Sequence, residues 1–146
     1  MNINLKSGID KLIFGMKQND VIALYGKPNK NYKDEDENVI FSYNNLKMRL
    51  TFYAEEDLKL GYIVASSNAM ELFGYKLIGK NIEEAKKTLA TKGITKFTQE
   101  EFDTFENYFN EENWIILQTE FNEVVKFEIG AIINNKDEFE WKFKSN

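Results

Sequence analysis

From Val39 to Val64 apolar side chains fall on every second residue, in three successive runs. The sets are Val39, Phe41 and Tyr43, then Met48, Leu50 and Phe52, then Leu58, Leu60, Tyr62 and Val64. A period of two places alternate side chains on one side of an extended chain, so each run predicts a strand with one buried face. Asn44-Asn45 and Glu55-Glu56-Asp57 lie between the runs and read as turns. A three-stranded antiparallel meander is the expectation.

A helix is expected just before it, over about Asn19–Tyr25. Val21, Leu24 and Tyr25 are spaced for one helical face, Gly26 is placed for a C-terminal cap, and Pro28 follows as a stop. The polar stretch Asn29–Asn38 reads as a loop. A second helix is expected from Ile82 to about Thr91, with Asn81 as its N-cap, Ala85 and Leu89 inward, and Gly93 closing it.

Extended segments are expected around Phe105–Phe109, Trp114–Phe121 and Val124–Ala131, with a last strand at Glu138–Phe143 that places Phe139, Trp141 and Phe143 in the core. Residues 97–109 admit two readings. Thr98 and Glu101 form a capping box with Phe97 and Phe102 at staple positions, which favours one helical turn at 99–103 before a strand from about 104. The same residues also alternate as a strand.

The halves share a pattern. Gly15 and Gly79 precede the two helices, and Val21 and Ala85 are their first buried positions, at one offset (79 − 15 and 85 − 21). Each half reads as a helix followed by three or four antiparallel strands, with fourth strands beginning near Leu72 and Phe139. A unit of roughly 65 residues is marginal alone, so two are expected to share one core. The expectation is an α+β chain, a single compact domain over 1–146, built of two tandem helix-plus-antiparallel-meander units (9–73 and 74–146) sharing one sheet or core.

Composition narrows the chemistry. The chain of 146 residues has no cysteine and no histidine. Disulfides, thiolate metal sites and every His-dependent triad or hydrolytic metal centre are thereby excluded. Carboxylates, Lys, Arg, Tyr, Ser and Thr remain, and nothing in the sequence sets two carboxylates across a cleft. No enzyme activity, cofactor or metal is expected. The net charge of −5 disfavours nucleic acid and suits a basic protein partner. No apolar stretch approaches the ~20 residues of a membrane span, and the first residues carry no signal-like apolar core, so a cytoplasmic location is expected.

Two motifs tempt and fail. Gly74-Tyr75-Lys76-Leu77-Ile78-Gly79-Lys80-Asn81 approximates a phosphate-binding loop, but Asn81 replaces the hydroxyl that holds magnesium, and the loop side chains are bulky. Asp34-Glu35-Asp36-Glu37 starts like a calcium loop, but Val39 and Asn45 occupy the positions of its glycine and its bidentate glutamate.

Phe14-Gly15-Met16, then Val21, then Leu24-Tyr25-Gly26-Lys27-Pro28 resembles the opening of SmpA/OmlA-type domains. β-Lactamase inhibitor proteins are similar in architecture, with two such units in tandem. The local match covers about fifteen residues of the first half; in the second only Gly79 and the helix follow it. Lys17 departs from the threonine usual there, and no lipoprotein cysteine is present. The resemblance implies protein binding through the sheet face that helices leave open, and by analogy a bacterial immunity protein that neutralises a toxin.

Strand parity assigns that face. Ile115, Leu117 and Thr119 are expected toward the helices, leaving Trp114, Ile116, Gln118 and Glu120 opposite; in the first half the outward set is Lys47, Arg49, Thr51 and Tyr53. The residues expected to meet a partner are therefore Arg49, Tyr53, Trp114, Ile116, Gln118 and Glu120, with the acidic loop Asp34, Glu35, Asp36 and Glu37 facing a toxin's basic surface. Two other classes are open to this sequence: a small-ligand module or carboxylate enzyme with a pocket between the halves, and a homodimeric structural domain.

Overall fold

A computed structural model describes residues 1–144. Three short strands open the chain, β1 (Asn2–Asn4), β2 (Gly8–Ile9) and β3 (Leu12–Ile13), followed by α1 (Gln18–Tyr25). Then come β4 (Lys30–Lys33), β5 (Val39–Tyr43), β6 (Met48–Tyr53), β7 (Lys59–Ala65) and β8 (Glu71–Leu72). The helix α2 (Ile82–Ala90) precedes β9 (Thr98–Glu101), β10 (Glu106–Asn110), β11 (Ile115–Glu120) and β12 (Glu123–Gly130).

The α+β class is as expected, but one large sheet dominates rather than two tandem units. Eight strands run in the order β4-β5-β6-β7-β12-β11-β10-β9, all antiparallel, with β7 and β12 meeting at the centre. A small sheet, β3-β2-β1-β8, pairs β1 with β8 in parallel. It packs with both helices on one face of the large sheet. The core there gathers Ile9, Leu12 and Leu72 from the small sheet, Phe14 just after β3, Val21 from α1, Ile82, Ala85 and Leu89 from α2, and Phe41, Leu50, Phe52, Leu117 and Phe127 from the large one.

Local chemistry sets the helix starts. Asn81 Oδ1 accepts the Glu83 N–H at 2.8 Å, capping α2. Lys17 has no accepting side chain, and at α1 its own N–H donates to the Asp20 carboxylate instead, at 2.9 Å. Each helix is tied to the sheet in the same way. Gly15 N–H donates to Leu60 O and Leu60 N–H to Met16 O; Gly79 N–H donates to Val124 O and Val124 N–H to Lys80 O. Both glycines hold φ near 100°, +109° and +93°, a region that L side chains rarely adopt.

Several expectations are corrected. Part of the Asn29–Asn38 loop is β4, an edge strand exposed at all four residues, so it carries no apolar period to read. The turn expected at 99–103 is β9, the opposite edge, also exposed throughout. Along β7 the inward set is Leu60, Ile63 and Ala65, not Tyr62 and Val64: the register shifts between Thr51 and Phe52, and Gly61 is the extra residue of the bulge. The fourth strand at Leu72 belongs to the small sheet. The strand expected at Glu138–Phe143 reduces to one bridge, Ile133 with Phe139. There the chain crosses the end of the sheet, and Lys142 and Phe143 N–H both donate to Phe14 O.

Candidate functional site

Among the described residues no second layer of helices covers the far face of the large sheet. Register defines what it displays. One row joins Ser42, Arg49, Val64 and Glu128 and continues through Ile116, Phe109 and Thr98. The next row toward the C-terminal segment is Ile40, Thr51, Tyr62 and Gly130.

An aromatic stripe crosses this face. Tyr62 meets Trp114 edge to face at 5.4 Å between ring centroids, and Trp114 meets Phe109 at 5.0 Å. Tyr53 packs on Phe139 at 5.6 Å, and Phe139 stacks on Trp141 at 4.9 Å. Two strand glycines make room. A Cβ on Gly61 would stand 2.2 Å from the Tyr53 ring, and one on Gly130 would stand 2.9 Å from the indole of Trp114. Glycine lets both rings lie on bare backbone.

Trp114 sits just before β11 with φ +49°. Asn110, almost fully buried, holds that turn: its Oδ1 accepts from the N–H and side-chain amide of Asn113, both at 3.0 Å, and its Nδ2 donates to Lys96 O at 2.9 Å. The Tyr62 hydroxyl donates to Glu128 Oε1 at 2.5 Å. Burial and then that carboxylate raise its pKa far above the ordinary phenol value. Burial alone pushes Tyr53 up to about 12.

The expected contact residues divide. Arg49, Tyr53, Trp114 and Ile116 stand on the open face, with Arg49 exposed and the other three half-buried. Gln118 shares the face but is nearly buried, its Nε2 donating to Asn107 Oδ1 at 3.1 Å, so it braces the sheet. Glu120 lies beside the β11–β12 turn, at the other end of the sheet from Trp114.

The acidic loop is partly engaged within the chain. Asp34 is consumed by the turn, its carboxylate accepting from the N–H groups of Asp36 and Asn38 and from the Asn38 side chain. Glu37 pairs with Lys33 at 3.4 Å. Glu35 and Asp36 remain exposed, and Asp36 borders a depression of about 380 Å3 with Tyr53, Phe139, Glu55 and Glu56.

Sequence reading missed Tyr62, Phe109 and the segment 132–139 as parts of this face. Gly61 and Gly130 were the available signal, since a glycine inside a strand marks a bulge or a close approach.

No family model matches the chain, and no curated protein matches it. Two solved structures are similar to it. One is an extracellular protein containing an SCP domain from Bacillus anthracis, at TM-score 0.49 and 14% identity, over 78% of this chain and 42% of that one. The other is a cysteine-rich secretory protein from Staphylococcus aureus, at TM-score 0.49 and 12% identity, over 89% of this chain and 52% of that one. The chain thus spans about half the length of the solved structures it matches.

Among the described residues no group of three or more carboxylates is placed to hold a metal ion, and no helix is long and apolar enough to cross a membrane. In the Gly74–Asn81 motif the Gly79 N–H that a phosphate would need is bonded to Val124 O.

Proposed function

We propose that this chain is a non-catalytic protein-binding protein whose contact surface is the open face of the large sheet. Its work would be stoichiometric neutralisation of a toxin or enzyme, as an immunity protein performs it. The observation that carries this is the stripe Tyr62–Trp114–Phe109, its central ring seated on the Gly130 backbone, half-buried where among the described residues no second layer of helices covers it. Rigid aromatic side chains lose little freedom on binding and supply much of the energy of protein interfaces. Arg49 on the same face adds a second residue type enriched at hot spots. The repeated tie of Gly15 to Leu60 and of Gly79 to Val124 supports a further part of this proposal, that the sheet was assembled from two helix-plus-meander units.

The test places a photo-crosslinking residue at Ile116, with a control at Glu84 on α2, and exposes both in the native host. A single partner protein captured at one-to-one ratio from Ile116, and lost on Trp114→Ala or Arg49→Glu, supports the reading. Capture from Glu84 alone overturns it, as does a self-associated dimer that hides Trp114.

A further inference from the structure

The open face is uneven in charge. Lys47, Arg49 and Lys126 gather around one shallow depression on it. At the opposite end, between Trp114 and the 132–139 segment, lies a cleft of about 580 Å3. Its walls are Phe109, Trp114, Ile132 and Ile133, and its rim carries Glu111, Glu112 and Asp137. Ile133 is 47% exposed although it is apolar.

We infer that this cleft takes a cationic side chain, arginine or lysine, from the protein partner. The inference rests on the reading of the open face as a protein-binding surface and names what that surface recognises.

Three observations converge. The benzo ring of Trp114 lies against Gly130, so the indole is held in place before any ligand arrives. An aromatic wall attracts a cation through its ring quadrupole and gives nothing comparable to an anion. The rim carboxylates are unspent: among the described residues none of Glu111, Glu112 and Asp137 has a lysine or arginine nitrogen within 4.0 Å. The cleft is lined by no lysine or arginine either.

A solvated acidic turn would have no need of four apolar side chains beside it. Nor does a metal ion fit, because among the described residues no group of three carboxylates comes close enough to bind one. An arginine or lysine satisfies both halves, its stem against Ile132 and Ile133 and its charge between Trp114 and the carboxylates. The cluster around Arg49 repels the same cation, so the charge pattern also fixes which way round the partner lies.

The chain has two tryptophans, so its indole N–H groups give two resolved NMR signals. Trp141→Phe assigns them. The probe is the peptide acetyl-Arg-Leu-Arg-amide, with acetyl-Glu-Leu-Glu-amide as control. The Trp114 signal is expected to shift saturably with the arginine peptide alone, while that of Trp141 stays. High salt should weaken the response several-fold. The triple variant Glu111→Gln, Glu112→Gln, Asp137→Asn should abolish it, and Glu84→Gln, at an exposed position on α2, should leave it intact. The unmoved Trp141 signal reports that the triple variant is folded; if it is not, Glu112→Gln alone should still weaken the response.

Equal shifts from both peptides, a full response in the neutralised variants, or no saturable shift at millimolar peptide each overturn the inference. The two readings fail separately. A partner crosslinked at Ile116 with no peptide response rejects the cleft alone. A peptide response with the partner crosslinked on α2 rejects the open-face reading and leaves the cleft's preference for cations standing.

Discussion

Trp114 lies on the backbone of Gly130, so close that a Cβ there would stand 2.9 Å from its Cε3 and 3.0 Å from its Cδ2. Tyr53 lies still closer over Gly61. These are the two places where the face depends on the absence of a side chain. Gly130→Ala must push the indole away, and the ring cannot slide freely because Tyr62 and Phe109 both pack against it. A loss of about 1–3 kcal/mol is expected, the usual cost of overpacking a well-filled site. Urea unfolding gives that number, and the shifted Trp114 indole signal shows that the stripe moved.

Alkaline pH should destabilise the chain in a way traceable to this face. Burial raises the pKa of Tyr53 to about 12, and burial with Glu128 raises that of Tyr62 further. The folded state therefore keeps both phenol protons at a pH where the unfolded chain has released them. Their contribution is fully present below the ordinary tyrosine value of 10.0 and falls as pH climbs through 10 toward about 12. Unfolding midpoints measured between about pH 9 and pH 11 should drop, and in Tyr62→Phe they should drop less. An equal drop in that variant would remove Tyr62 from the account.

Residues with strong periodic burial were readable from the sequence, and those placed by irregularities were not. Val39, Phe41 and Tyr43 and then Met48, Leu50 and Phe52 point inward as their alternation requires. Ile115, Leu117 and Thr119 do the same. Tyr62 and Val64 defeated the rule because one bulge at Gly61 inverts the parity of everything after it. The edge β4 was missed for a different reason: with every residue exposed there is no apolar period to detect, and at β9, equally exposed, the strand alternative gave way to the capping-box pattern. Phe139 and Trp141 are apolar and alternate, yet they pack at the sheet's end without a ladder. The glycines that seat the aromatic stripe were visible; which rings they seat depends on pairings far apart in sequence.

Asn110 is the buried polar residue on which the cleft's geometry turns. It is 3% exposed, and it satisfies two groups of Asn113 and the carbonyl of Lys96. Asn110→Ala would strand those partners. A buried group left unpaired costs about 1–3 kcal/mol, and here the turn that carries Glu111, Glu112 and Trp114 loses its anchor as well. Thermal melting should show the destabilisation. Amide exchange should quicken at Asn113 and Trp114 before it quickens in β11.

Phe121 makes the opposite prediction, that a substitution stabilises. It occupies the β11–β12 turn with φ +51°, followed by Asn122 at +64°, between the paired residues Glu120 and Glu123. Both central residues are left-handed, the geometry of a type I′ turn, which asparagine and glycine tolerate and a bulky side chain does not. The left-handed conformation costs an ordinary L residue about 1–2 kcal/mol. Burial offers no offset, because the side chain is 101% exposed. Phe121→Asn keeps the turn and relieves the strain, so stability should rise by about 0.5–1 kcal/mol. The urea midpoint should move up with its slope unchanged, and the Trp114 signal should not move, since the turn lies at the other end of the sheet. A fall in the midpoint would mean that Phe121 holds a contact within the folded chain that its exposure does not reveal.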